Sequence, residues 1–354
     1  MATRTRCPHT RRLSDWIDSA SSQTRFDAPH QRNLGKPAMN INTTNDFFGC
    51  LIDPELMDEV QPSEAEKELR EFLSIISPIS FGRKLIRIGK AGDGSYLLPD
   101  DLDGVIACYS PGVNNFKDFE DCLVNRYGIE SHMCDASSDA ESFRTAMIQG
   151  KQTFKKLWLD VTESSDSISL ASWINETTPD ETGDLILQMD IEGAEYRNFL
   201  DIDDSVLMKF RIIVIEFHGL DKISDSAIRR QVILPVFRKL NKIFQVVHAH
   251  PNNFDGDFKI PGTEIYLSSF LELTLHRRDR ISPQPHNASG STLIPHPQDI
   301  VNIRSRPPIF LDCGLLISKR SWRSKLKMLN DWSCYLTRVA ARGVRDCVRG
   351  RRSN

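Results

Sequence analysis

The strongest constraint on the fold is a series of short, almost uninterrupted apolar runs that begins at Gly104 and recurs at helix-length intervals. The runs are Gly104–Tyr109, Glu130–Cys134, Phe154–Leu159, Asp184–Met189, Phe210–Phe217, Ile243–His248 and Glu264–Leu275. A strand with one wet face alternates apolar and polar residues, whereas a strand of a parallel sheet covered by helices on both faces is apolar almost throughout. The seven runs therefore predict an α/β fold with a seven-stranded, mostly parallel, doubly wound sheet of Rossmann-like type over residues 101–276. Asp225–Lys242 carries Ile228, Val232, Ile233, Val236, Phe237 and Leu240 at helical spacing, which predicts a helix packed on that sheet. Ligands of such folds bind beyond the carboxyl ends of the strands, so chemistry is to be sought in the loops that follow the runs.

The flanks read differently. Residues 61–100 are expected to supply a cover helix and a hairpin lead-in. Pro62 and Ser63 open the helix, Glu64, Glu66 and Glu68 suit its first turns, and Leu69, Phe72, Leu73 and Ile76 form an apolar stripe. Leu85–Pro99 then alternates around a Gly-Asp-Gly turn, a hairpin signal. Residues 1–60 are expected to be a largely disordered extension, since the first 38 are rich in Arg, Ser, Thr and Gln and poor in large apolar side chains. A translation start at Met39 would remove that segment. Beyond residue 276, six prolines between Pro283 and Pro308 predict an extended return over 277–318, followed by a basic, potentially helical tail over 319–354.

Charge narrows the class of partner. A net charge of -3 and a pI near 6.3 exclude a general nucleic-acid binder, which needs a basic excess to neutralise phosphates. The tail is the exception, with eleven Lys and Arg from Lys319 onward against Asp331 and Asp346, so peripheral contact with an anionic surface is confined to it. No run reaches the ~18 apolar residues of a membrane span, and the N-terminus lacks the apolar core of a secretory signal. Asp15, Asp18 and Asp27 argue against a mitochondrial presequence, which leaves a cytoplasmic protein as the expectation. The eight cysteines are spread singly with no Cys-x-x-Cys pair, so they read as free thiols, with Cys108 and Cys134 as small hydrophobes in core strands.

Three constellations carry chemistry. The first, Cys108-Tyr-Ser-Pro-Gly-Val-Asn-Asn-Phe-Lys-Asp-Phe-Glu120, leads from a strand through a small-residue turn into a helix. Such a loop can bring backbone N–H groups against a ligand. Gly112 stands alone where a dinucleotide fingerprint needs three glycines, and no Gly-Lys-Ser/Thr follows, so nicotinamide dehydrogenases and P-loop enzymes are disfavoured. The second is Asp135, at the end of the second strand, where an acid can accept from both hydroxyls of a ribose or cap the next helix. The third is Leu187-Gln-Met-Asp-Ile-Glu-Gly-Ala-Glu-Tyr196, whose acids at 190, 192 and 195 cluster at a strand end, joined by Glu216-Phe-His218 and His248-Ala-His-Pro-Asn-Asn253 at the next two. These strand ends can supply a general base for a hydroxyl or ligands for a divalent metal. Glu195 can equally lie on the exposed face of the following helix.

Together with the hairpin Arg87–Tyr96 and the stretch Pro295–Asn302, these motifs resemble the FkbM-like methyltransferases over about residues 83–312. The resemblance implies a class I methyltransferase fold, S-adenosylmethionine as methyl donor, and O-methylation of a hydroxyl on a sugar or other small metabolite. On that expectation Gly112 and Glu120 lie at the methionine end of the donor, Asp135 on its ribose and Asp160 near the adenine edge, with Asn114 also among the cofactor-binding residues. Asp190 and Glu192 then face the small-molecule or glycan acceptor, with His218 or His248 as base, because an unperturbed imidazole titrates near neutral pH. A metal-assisted version, with Asp190, Glu216 and His218 holding a divalent cation, is set behind because hard cations usually take more oxygen ligands. The competing class is a non-catalytic nucleoside-binding or interaction protein on the same fold.

Overall fold

The computed structural model describes residues 46–312 apart from 57–59, 91, 93, 179–181, 264–265, 282–292, 295, 297, 304, 307 and 310. The basic tail and the chain before Asp46 lie outside the described residues. The folded chain begins ahead of residue 60, because Phe48 is 2% exposed and its ring packs 5.1 Å from that of Tyr196.

The cover helix α1 spans Pro62–Ile76, with proline in its first turn, where a missing N–H breaks no helical bond. The hairpin follows as β1 (Leu85–Ile88) and β2 (Tyr96–Pro99), paired from Leu85↔Pro99 to Ile88↔Tyr96. The main body then runs β3 (Val105–Pro111), α2 (Asp118–Tyr127), β4 (Glu130–Cys134), β5 (Gln152–Lys155), β6 (Trp158–Leu159), β7 (Ser167–Ile168), α3 (Leu170–Thr177), β8 (Asp184–Met189), α4 (Glu195–Asp201) and β9 (Phe210–Phe217). It continues with α5 (Leu234–Ile243), β10 (Phe244–Pro251), β11 (Asp257–Lys259), β12 (Tyr266–Ser268), β13 (Leu271–Arg277), β14 (Leu293–Ile294) and β15 (Leu311–Asp312).

Seven strands form one sheet in the order β5-β4-β3-β8-β9-β13-β10. Six of them point the same way, and β13, between β9 and β10, runs antiparallel to both, so the Rossmann-like sheet is mixed. The reason is local: β10 and β13 are linked through the small β11–β12 hairpin rather than a crossover helix, and a chain that turns back without a crossover returns antiparallel. Two expected runs break. Only Gln152–Lys155 joins the sheet, while Trp158–Leu159 pairs with Ser167–Ile168 beyond the Lys155-Lys156 interruption. The last run parts at Ser268-Ser269, leaving Leu271–Arg277 as the sheet strand.

Strand order fixes where a ligand can enter. The chain steps outward from β3 through β4 to β5, then returns to the other side of β3 as β8. The loops after β3 and β8 therefore leave in opposite directions, and a crevice opens between their strands' carboxyl ends. One face of the sheet packs on the hairpin and α2, with Ile88, Leu98, Phe119 and Leu123 against Cys108, Ile186, Ile212 and Val214. The other face carries α1, α4 and α5, where Phe72 and Phe237 meet edge to face at 4.9 Å. Buried Arg229 donates to Glu68 of α1 at 2.9 Å, which ties the cover helix to the turn before α5. That turn, Arg229–Ile233, is π-helical just ahead of Pro235, which has no N–H to continue an i→i−4 ladder. No helix among the described residues is long and apolar enough to cross a membrane.

Candidate functional site

The crevice is closed at its base by contact between two backbones. Gly112, at φ +81, lies so near Asp190 that a Cβ would sit 1.7 Å from the Asp190 carbonyl oxygen. Only glycine combines that conformation with that approach. The Gly112 N–H donates to the Cys134 carbonyl at 2.9 Å, so the loops after β3, β4 and β8 converge on one point.

Asp135 does not present a free carboxylate to this crevice. Its Oδ2 accepts from the backbone of Val113 (3.1 Å) and Asn114 (2.9 Å) and from Ser138 Oγ (2.9 Å). Its Oδ1 accepts from both N–H and Oγ of Ser137, at 2.8 and 2.6 Å. Five donors occupy the roughly four lone-pair sites of a carboxylate, so the side chain expected on a ribose instead anchors the β3–α2 loop. Burial works against its charge, but these hydrogen bonds prevail and hold its pKa below the ordinary aspartate value. Asn114, bonded to Asp135, and Asn115, whose N–H donates to Ser138 Oγ at 3.1 Å, stand at φ 40 and 60, a left-handed pair that asparagine tolerates.

The other residues expected around the donor are divided. Glu120 is buried on the first turn of α2, and burial raises its pKa to about 7 against the hydrogen bond of Ser110. Asp160 pairs with Arg197 of α4 at 3.0 Å, 29% of its side chain remaining exposed, and lines a cleft with Met189, Phe199 and Ile202. The cleft thus lies between the β6–β7 region and α4, on the side where an adenine was expected.

The acids after β8 converge on one imidazole. His218, the first residue past β9, has Nδ1 3.1 Å from Glu195 Oε1, and its Nε2 lies 3.7 Å from Asp190 Oδ1 and 3.5 Å from Glu192 Oε2. Glu195 is not on an exposed helix face: its side chain is 0% exposed. It begins α4, and its Oε1 curls back to accept from the N–H groups of Ile191 (3.0 Å) and Gly193 (3.2 Å). Glu192 is the reverse, 84% exposed and held at φ 56.

Electrostatics reassign the base. Burial disfavours charge on His218, but Glu195, Asp190 and Glu216 outweigh it and raise its pKa to about 10. An imidazole that keeps its proton at neutral pH is a poor proton acceptor, which favours Asp190 over His218 in the expected role of base. Asp190 moves toward neutrality instead: burial, then the charges of Glu192, Glu195 and Glu272, raise it to about 7 against the pull of His218.

Sheet register extends the acidic edge. Glu216 of β9 pairs across to Glu272 of β13, which pairs across to His250 of β10, so the three share one row and one face. Burial and the charges of Asp190 and Glu272 raise Glu216 well above the usual carboxylate range, while Asn252 Nδ2 donates to its Oε1 at 2.8 Å. His248 belongs elsewhere: its Nε2 is 2.9 Å from Asp299 Oδ1, and Asp299 also faces His250 Nδ1 at 3.3 Å. His248 therefore latches the return segment to the sheet, a structural role in place of the expected catalytic one. His250, raised to about 9 by Glu272 and Asp299 despite burial, shares that latch.

Sequence reasoning missed Glu272 and, within the stretch Pro295–Asn302, assigned no role to Asp299 or to Asn302, whose Nδ2 donates to Glu272 at 2.8 Å. For Glu272 a signal was present, since Leu271-Glu-Leu-Thr-Leu-His276 alternates although the whole strand is buried, and all three polar residues find partners on one face. Comparison with protein-family models and with curated proteins finds no match for the chain.

Proposed function

We propose that this protein is an S-adenosylmethionine-dependent methyltransferase acting on a hydroxyl of a sugar or other small metabolite. The observation that carries the reading is the meeting of Gly112 and Asp190 at the switch point, where a glycine turn stands beside an acidic edge, as a nucleoside-linked donor and a hydroxyl acceptor would require. The resemblance of residues 83–312 to FkbM-like methyltransferases supports the same assignment.

The chemistry asks for alignment and removal of one proton. S-adenosylmethionine, when bound, would supply an electrophilic methyl group on its sulfonium, and the part left to the chain is to align the acceptor oxygen with it. The hydroxyl proton leaves to the carboxylate cluster, where Asp190, with a pKa of about 7, is suited to receive it. In the metal-free chain His218 keeps its proton beside Asp190 and Glu192, a proton that a cation bound at Nε2 would displace. Asp135 serves the donor indirectly, through the conformation of residues 113 and 114.

Calorimetric titration of the full chain with S-adenosylmethionine and S-adenosylhomocysteine tests the reading. Micromolar binding, weakened by Asp160→Ala on the adenine side, is the expected outcome. A folded chain that binds neither compound would overturn it and favour the interaction-protein reading.

A further inference from the structure

We infer that Asp190, Glu192 and His218 form a binding site for one first-row divalent cation of the Mn²⁺ type. One oxygen of each carboxylate and one ring nitrogen lie within 4.8 Å of one another. Ligand atoms about 2.0–2.2 Å from a shared ion lie about 3 to 4.4 Å apart. The distances from His218 Nε2, 3.7 Å to Asp190 and 3.5 Å to Glu192, fall in that range and are too long for good hydrogen bonds. The third separation, between the two carboxylate oxygens, is also within 4.8 Å, and the Glu192 side chain is 84% exposed and so has room to turn toward an ion.

Two further observations separate this cluster from a chance gathering of acids. The His218 side chain is nine-tenths buried, makes its one side-chain hydrogen bond among the described residues through Nδ1, and directs Nε2 between the two carboxylates. Asp190 Oδ1 is a buried oxygen that no donor among the described residues satisfies. Behind the imidazole stands Glu195, fully buried and 3.1 Å from Nδ1, the arrangement by which a second carboxylate fixes the tautomer and orientation of a metal-binding histidine. The sequence had pointed to Glu216 as a ligand; the geometry puts Glu192 in its place, and Asn252 occupies one oxygen of Glu216.

Two carboxylate oxygens with one imidazole nitrogen suit Mn²⁺ and its neighbours better than Ca²⁺, which prefers an all-oxygen shell. Three protein ligands leave positions open for oxygens of a small molecule. An acceptor with two adjacent oxygens, such as a vicinal diol, is the class that fills them, and coordination would lower the pKa of its hydroxyl. The ion site itself rests on the three side chains and stands whether or not the chain transfers methyl groups.

The experiment uses the full chain stripped with EDTA and titrated with MnCl₂, free Mn²⁺ being followed by electron paramagnetic resonance. We expect about one ion per chain, with affinity at least tenfold weaker in Asp190→Asn and in His218→Gln. Glu195→Gln, which leaves every ligand in place, should weaken binding by about tenfold. Melting curves of the stripped variants establish that they fold. A folded chain that takes up no Mn²⁺, or that binds it equally in Asp190→Asn and His218→Gln, overturns the inference. Binding of S-adenosylmethionine, measured separately in EDTA, reports on the methyltransferase reading alone.

Discussion

Gly112 and Asp190 lie so close that a Cβ added to the glycine would fall 1.7 Å from the aspartate carbonyl oxygen. This contact joins the loop after β3 to the loop after β8, and the Asp190 N–H returns a bond to the Pro111 carbonyl at 3.3 Å. The position of the Asp190 carboxylate is thus set by backbone packing at the switch point, before any ligand arrives.

Gly112→Ala should therefore cost at least ~3 kcal/mol of stability, combining left-handed strain of about 1 kcal/mol with displacement of a backbone that has nowhere to go. Gly150→Ala is the matched control, since Gly150 is also left-handed, at φ +71, but has open space around its Cβ position. It should lose only the strain. Urea unfolding of both variants measures the difference, and equal losses would show that the Gly112 contact contributes nothing.

His218 makes a prediction about alkaline stability. Its folded pKa, about 10, stands above the ordinary histidine value near 6.5, so its contribution is fully present below about pH 6.5 and is lost as pH rises through about 10. The melting temperature of the EDTA-treated chain should fall across that window. Glu195→Gln removes the leading attraction, so its melting curve should fall less steeply, and the His218 ring protons should titrate at lower pH in NMR spectra.

Asp135 predicts the opposite sign at the acid end. A depressed folded pKa stabilises above the unfolded value near 3.9 and is lost as pH falls through the folded one. Asp135→Asn should cost about 2 kcal/mol at pH 7, the scale of hydrogen bonds to a charged group, and the gap between variant and parent should narrow toward pH 3. Donor affinity should drop as well, because the backbone of residues 113 and 114 loses its anchor. Full affinity in the variant would dissociate the loop from donor binding.

The sequence displayed the fold well because burial on both faces leaves a mark that no partner can obscure: Asp184–Met189 and Phe210–Phe217 are strands at the bounds their apolar runs predict. It displayed the site in part. Asp190, Glu192 and His218 meet as the strand ends suggested, since successive strands deliver their last residues to one edge. Glu195 was unreadable as a buried acid because helical periodicity starts only at that residue, where the side chain folds back over residues 191 and 193. For Asp135 the sequence left ribose binding and capping both open, and for His248 it offered a base; the partners each has in the fold were illegible for a shared reason. A polar residue at a strand end looks available in sequence, and the segments that claimed them, Ser137–Ser138 and Asp299, become visible only in three dimensions.

Asp190 leads to a prediction that separates stability from function. Its pKa, raised from 3.8 to about 7 by burial and neighbouring acids, means that the folded chain binds this proton more tightly than the unfolded chain does. Stability from that proton is fully present below pH 3.8 and is lost as pH rises through about 7, because the ionised carboxylate is then enclosed with Glu192, Glu195 and Glu272. An amide in place of this carboxylate carries no charge to enclose. In EDTA, Asp190→Asn should accordingly melt higher than the parent at pH 8.5 and show no such gain at pH 4, while methyl transfer to any accepted hydroxyl is abolished. Such an exchange is common where a site holds a strained charge for its chemistry. Differential scanning calorimetry at the two pH values decides it: a variant less stable than the parent at pH 8.5 would mean that His218 compensates the Asp190 charge fully, and the carboxylate would then lack the elevated affinity for a proton that the proposed transfer requires.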